Sequence, residues 1–132
     1  MKIQLKYWKI ANLNFSLLDD VSKREKNSFD LETGSHFSDK ESSDFRVNFR
    51  LKIKDKAFDI LLDAFFQFEL VDEKITEEFK LSSFPKVNAP AIAFPYLRAF
   101  ISNLTLQAGF EPIILPSINF INLGDKEEFK ED

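Results

Sequence analysis

Between residues 45 and 70 the chain alternates apolar and polar positions almost without a break, and the pattern turns back on itself once. Phe45, Val47, Phe49, Leu51 and Ile53 share one side, and Arg46, Asn48, Arg50, Lys52 and Lys54 share the other. A period of two marks a strand with one buried face. Asp55-Lys56 then reads as a tight two-residue turn, without the glycine of the strongest hairpin signals. The returning run, 57–70, puts Phe58, Ile60, Leu62, Ala64, Phe66, Phe68 and Leu70 on one face. Asp59, Leu61, Asp63, Phe65, Gln67 and Glu69 fall opposite. A strand of this length far exceeds the usual five or six residues, so a bulge or bend is expected within it. Its second face is only half polar and is expected to be partly covered.

Two weaker strands precede this hairpin. Ile3, Leu5 and Tyr7 alternate with Lys2, Gln4 and Lys6, and after a break near Asn12 the strand resumes over 15–18, as it would past a bulge. Residues 19–26 form a charged loop. Phe29, Leu31 and Thr33 then alternate with Asp30 and Glu32, running past Gly34 towards Phe37, and 38–44 is a solvated turn.

After an acidic stretch over 71–80 the period changes. Pro90 suits a first helical turn, where its missing N–H costs nothing. Phe94, Leu97, Ile101, Leu104 and Ala108 follow the 3–4 spacing of an amphipathic helix, with Pro95 near its start and Gly109 as a left-handed stop. Residues 112–123 are extended and apolar around two prolines, ending in a short helical turn, and 124–132 is a charged, flexible tail. The sum is one α+β domain over 1–132: a four-stranded antiparallel sheet with one main helix on one face.

Little here supports catalysis. His36 is the only histidine and there is no cysteine, so thiolate chemistry is excluded and a His/Cys metal cluster cannot be assembled. Glu77-Glu78 and Glu127-Glu128 read as solvated charge. The three glycines are isolated and build no phosphate cradle. Asp59 and Asp63 share a strand face but stand roughly 13 Å apart, too far to cooperate as acid and base. A net charge of −4 argues against nucleic-acid or anionic-membrane binding. No run approaches the roughly 20 apolar residues of a membrane span, and the first ten residues lack a signal peptide's apolar core. The expected location is cytoplasmic.

Phenylalanine is the outlier, at 16 of 132 residues. Either the core simply prefers Phe, or the excess covers surface shared with a second copy or a client.

The segment 88–120 is the least generic. Asn88-Ala89-Pro90, then Phe94-Pro95-Tyr96-Leu97-Arg98, Gly109-Phe110, Pro112, Leu115-Pro116 and Ile118-Asn119-Phe120 resemble the signature of the SecB export chaperones. The strand order before the helix agrees, so the resemblance spans about residues 2–123, with its specific part at 90–120. Three departures are visible: the chain stops twelve residues after Phe120, Pro116 precedes Asn119 by three residues rather than two, and Asp59 and Leu61 replace the hydrophobic residue and acid expected there.

The resemblance implies an ATP-independent holdase without cofactor, a homo-oligomer (dimer or dimer of dimers) that binds unfolded or pre-secretory polypeptides in apolar grooves. It also implies either the SecA translocase motor as a partner or, in a toxin–antitoxin system, an antitoxin. The implied groove residues are Trp8, Phe15, Phe110, Pro112, Leu115 and Phe120, with an interface as the equal alternative for Trp8 and Phe15, Tyr96 and Phe100 at an oligomer seam, and Asp59, Asp63 and Glu69 as nearest candidates for motor docking. Pro95 fixes the helix entry, and Arg98 pairs with a carboxylate or caps backbone carbonyls. A lid over the sheet's own core is the plain alternative for Phe110, Pro112 and Leu115. Two rivals remain: a carrier enclosing a small hydrophobic ligand in one subunit, and an assembly subunit without a client.

Overall fold

The computed structural model describes residues 1–19 and 27–121 together with the backbone of 126–129. Four long strands come first: β1 (Ile3–Leu17), β2 (Ser28–Phe37), β3 (Asp44–Lys54) and β4 (Phe58–Leu70). A short helix α1 (Glu77–Leu81) and a π-helical turn (Phe84–Asn88) lead into the main helix α2 (Ala89–Gln107), and β5 (Lys126–Phe129) closes the described chain. The sheet is antiparallel, in the order β1-β4-β3-β2-β5.

The central hairpin has the faces that its alternation predicts. Phe45, Val47, Phe49, Leu51 and Ile53 on β3, and every second residue of β4 from Phe58 to Leu70, are buried. The turn sits one residue later than expected. Lys54 pairs with Asp59, so the loop is Lys56-Ala57, and the Asp55 N–H donates to the Phe58 carbonyl at 2.9 Å. Asp55 caps the turn from its flank, where Oδ2 accepts the Ala57 N–H at 3.0 Å.

The expected irregularity in β4 lies instead in its neighbour. β1 shifts register against β4 between Leu5 and Tyr7 and again between Ile10 and Asn12, leaving Lys6 and Ala11 unmatched. Each extra residue reverses the phase of alternation. Tyr7 is thereby turned to the opposite side from Ile3 and Leu5, contrary to the simple period-two reading. Trp8, Ile10, Leu13, Phe15 and Leu17 face the core side, opposite Phe66, Ala64, Leu62, Ile60 and Phe58.

The core lies between the inner face of the sheet and α2. The helix buries Ala89, Pro90, Ala93, Phe94, Leu97, Ile101 and Thr105. Thr105 takes the place expected of Leu104 and Ala108, because four residues beyond Ile101 points more directly at the sheet. Its hydroxyl is satisfied locally, donating to the Ile101 carbonyl at 2.9 Å. Pro95 stands inside the helix but on its exposed side, beside exposed Ala91, whose carbonyl it leaves to solvent. Gly109 adopts φ 99, the left-handed stop expected of it.

Phenylalanine fills this core. Of the fifteen described Phe residues nine are buried, six are half-buried and none is exposed, so most rings are spent in the core and the rest lie at its margins. Phe45 stacks on Phe68 at 5.4 Å, and Phe49 meets Phe66 edge-on at 5.5 Å. Each such pair adds about 0.5–1.5 kcal/mol beyond its buried area.

The C-terminal readings divide. Residues 111–119 carry no regular structure, and 120–121 form a turn; the rest of the expected helical turn, 122–123, lies outside the described residues. The supposed flexible tail contributes β5, paired with β2 from Phe29↔Phe129 to Glu32↔Lys126. Without it β2 would leave those backbone groups unpaired at a sheet edge. The charged loop beyond Asp19, Gly124 and residues 130–132 lie outside the described residues.

Candidate functional site: an apolar shelf along the first strand

β1 is an edge strand, and α2 covers its inner face incompletely. Ile3, Leu5, Trp8, Ile10 and Phe15 are half-buried there, while Leu13 and Leu17 stand 39% and 67% exposed. Edge position explains this: inner-face residues on β4 have strands on both sides, those on β1 only one.

Two aromatic clusters mark the shelf. Near its N-terminal end Trp8 lies flat on Phe66, ring centroids 4.9 Å apart, and meets Phe100 edge-on at 6.3 Å. Tyr96, one helical turn before Phe100, sits 6.5 Å from the Phe66 ring and is 49% exposed. The groove candidate Trp8 and the seam candidates Tyr96 and Phe100 thus form a single surface. Seven residues further along β1, roughly 20 Å away, Phe15 stacks on Phe58 at 4.8 Å. Phe110 closes on both, at 6.0 Å from Phe15 and 4.7 Å from Phe58.

The remaining groove candidates part company. Pro112 is exposed, but Leu115 and Phe120 are 1% and 4% exposed. Leu115 and Phe120 are core residues in this structure, not an open groove wall: Phe120 packs edge-on against Phe94 at 5.9 Å and Phe49 at 6.3 Å. Arg98 caps a backbone carbonyl, its Nε donating to the Leu115 oxygen at 3.0 Å.

Asp59, Asp63 and Glu69 lie on the outer sheet face, where they do not form an acidic patch. Asp63 is paired with Arg50 at 2.9 Å, and Glu69 lies 3.9 Å from the Lys6 ammonium. β3 lays Arg46, Arg50, Lys52 and Lys54 alongside them in register. Of the apolar residues on this face, Leu61 and Phe65, the latter carries the Arg46 guanidinium 3.8 Å over its ring. His36 is exposed on the same strand face, and among the described residues no group of three His, Cys, Asp or Glu could hold a metal.

Sequence reasoning missed the exposed aliphatic residues. Leu13 and Leu17 flank Phe15 at spacing two, a signal that was present in the alternation. Ile92, Leu106 and Ile114, 41%, 55% and 71% exposed, follow no single period because they sit on the helix flank and an irregular segment.

Against known proteins, the chain matches the SecB family, described as preprotein translocase subunit SecB, across residues 2–130. An uncharacterised protein of Methanocaldococcus jannaschii is 42% identical over 66 residues, 49% of this chain and 41% of that protein. A protein-export protein SecB of Neorickettsia sennetsu is 30% identical over 111 residues, 83% of this chain and 60% of that one. The matches therefore span less than two thirds of these relatives' lengths. Among solved structures, a Mycobacterium tuberculosis SecB-like chaperone in complex with an antitoxin peptide shares the fold, with TM-score 0.65 and 16% identity. That match covers 89% of this chain and 88% of the other. A Streptococcus agalactiae protein of unknown function aligns with TM-score 0.57 and 11% identity, over 88% and 98% of the two chains.

Proposed function

This chain belongs to the SecB family, and on that footing we propose that it is an ATP-independent chaperone that holds unfolded polypeptides on the apolar shelf of β1 and α2. The observation that carries the reading is the position of that shelf. A family member's chain places Trp8, Leu13, Phe15 and Leu17 along one open strand face, bordered by Tyr96, Phe100 and Phe110. Such a surface suits a client of no fixed sequence: each apolar side chain laid on it gains about 1.5–3 kcal/mol if fully covered, without directional requirements.

Tyr96 and Phe100 are placed equally well to meet a second copy, giving a homo-oligomer whose shelf runs across subunits. The cytoplasm is the proposed location; no helix among the described residues is long and apolar enough to cross a membrane.

Two client classes remain. The named SecB relatives favour pre-secretory chains, whereas the solved structure with a bound antitoxin peptide favours an antitoxin. Docking to the SecA motor through Asp59, Asp63 and Glu69 has less support, since Arg50 and Lys6 offset those carboxylates. The carrier alternative fits less well: Phe49, Phe66, Phe94 and Phe120 pack on one another rather than standing around a ligand.

The test is aggregation of a slowly refolding client followed by light scattering, with native mass measured in parallel. Suppression at near-stoichiometric oligomer is expected. Undiminished scattering at several-fold excess would sink the holdase reading, and lipid co-purifying with a monomer would favour the carrier.

A further inference from the structure

Among the described residues, 111–119 bury side chains without belonging to a helix or strand, and Pro112 and Pro116 have no N–H to offer. Two apolar anchors, Leu115 and Phe120, are buried, while Pro112, Ile114 and Pro116 between and before them face solvent. Two single side chains of α2 clamp the backbone. Thr105 Oγ1 accepts the Ile113 N–H at 2.9 Å, and Arg98 Nε donates to the Leu115 carbonyl at 3.0 Å.

Both clamps address backbone groups, which every extended polypeptide carries. Phe120 seats between Phe94 of α2 and Phe49 of the inner sheet face, and Leu115 is buried in the same core, so the segment fills a trough there with two anchors five residues apart, at most roughly 16 Å of chain. The trough therefore asks of its occupant an extended backbone, an aliphatic side chain and an aromatic one, and little else.

We propose that residues 111–120 form a displaceable strap, which in the free protein occupies a trough that takes an extended apolar segment of a client polypeptide. On this account the client's carbonyl replaces that of Leu115 at Arg98, and its N–H replaces that of Ile113 at Thr105. The strap contributes anchors that compete with the client rather than a wall that binds it. This inference rests on the holdase reading, but its test has an arm that does not need it.

The first arm uses a labelled peptide of residues 111–121, titrated by fluorescence anisotropy into the full chain and into Leu115→Ala and Ile118→Ala variants. Truncating the anchor Leu115, or the half-buried Ile118 beside the anchor Phe120, weakens the strap and leaves the trough intact, so the peptide is expected to bind the variants roughly tenfold or more tighter than the parent. Trp8 emission checks that each variant is folded, and the half-buried Ile118 provides the milder variant if Leu115→Ala unfolds. Equal or weaker binding to a folded variant overturns the strap.

The second arm follows amide hydrogen exchange over 113–118 while an unfolded client saturates the parent protein. Faster exchange there is the expected result. A client that binds and leaves this exchange unchanged overturns the strap while the holdase reading stands. A peptide that prefers the variants, with no unfolded client bound at all, overturns the holdase reading and with it the client's place in the trough, and leaves only the displaceable strap.

Discussion

The Trp8 indole stacks on the Phe66 ring, the two planes within 3° of parallel and their centroids 4.9 Å apart, and meets Phe100 in a T-shaped contact at 6.3 Å. One residue of the edge strand thereby ties together the sheet, through β4, and the main helix. It does so only because the bulge at Lys6 turns Trp8 inward.

Removing the indole is expected to cost about 2–3 kcal/mol, less than a fully buried aromatic because Trp8 is half-exposed. Trp8→Phe keeps the stack on Phe66 and is expected to lose under about 1 kcal/mol. Urea denaturation of Trp8→Ala and Trp8→Phe measures both. As the only tryptophan, Trp8 reports by its own emission whether the parent shelf is covered when client is added.

The two described glycines are predicted to respond in opposite directions to alanine. Gly109 ends α2 at φ 99, a backbone that a Cβ strains, although nothing stands within 4 Å of where that Cβ would go. Gly109→Ala is expected to destabilise by about 1 kcal/mol. Gly34 has neither a positive φ nor a neighbour within 4 Å, and its place within β2 gives it only the entropic cost of glycine in a strand. Gly34→Ala is expected to stabilise by about 0.5 kcal/mol. Thermal melts of the pair decide, and destabilisation at Gly34 would point to a close approach that arises only in an assembly.

The strands were legible wherever side chains alternate against a two-sided neighbour, as in Phe45 to Ile53. They became illegible where backbone irregularity changes the phase. Tyr7 has the sequence position of a core residue and the structural position of a surface one, because an unmatched Lys6 precedes it. β5 carries no alternation at all and is placed by the unpaired edge of β2. At the site, the family-like pattern drew attention to Phe110 and Tyr96 but could not separate Pro112, which is exposed, from Leu115, which is buried. That difference depends on which way an unpaired segment turns as it crosses α2, and it is set by contacts with Arg98 and Thr105 rather than by any local period.

On the outer face, the Arg50–Asp63 pair joins two half-exposed side chains at 2.9 Å. Solvent screens such pairs, so Asp63→Asn is expected to change stability by less than about 1 kcal/mol and to leave client holding unaltered. Arg46→Ala forfeits the guanidinium over Phe65, worth about 0.5–1 kcal/mol. A larger loss of client holding than of stability in either variant, read by light scattering beside urea melts, would move the client site to this face.

The shelf itself makes the sharpest prediction, because its two clusters are assigned different duties. Tyr96 is 49% exposed on α2 and Leu17 is 67% exposed at the far end of β1, so a carboxylate at either position reaches water in the monomer and leaves the fold standing. If α2 meets a second copy, Tyr96→Asp buries that charge at the seam, and an unpaired buried charge costs several kcal/mol. Native mass is then expected to fall to that of one chain. Leu17→Asp leaves the seam untouched and is expected to keep the parent mass while weakening client holding severalfold, the loss of one apolar contact with the client. A common fall in mass from both variants would make the whole shelf an assembly surface, leaving no open strand face for a client to occupy.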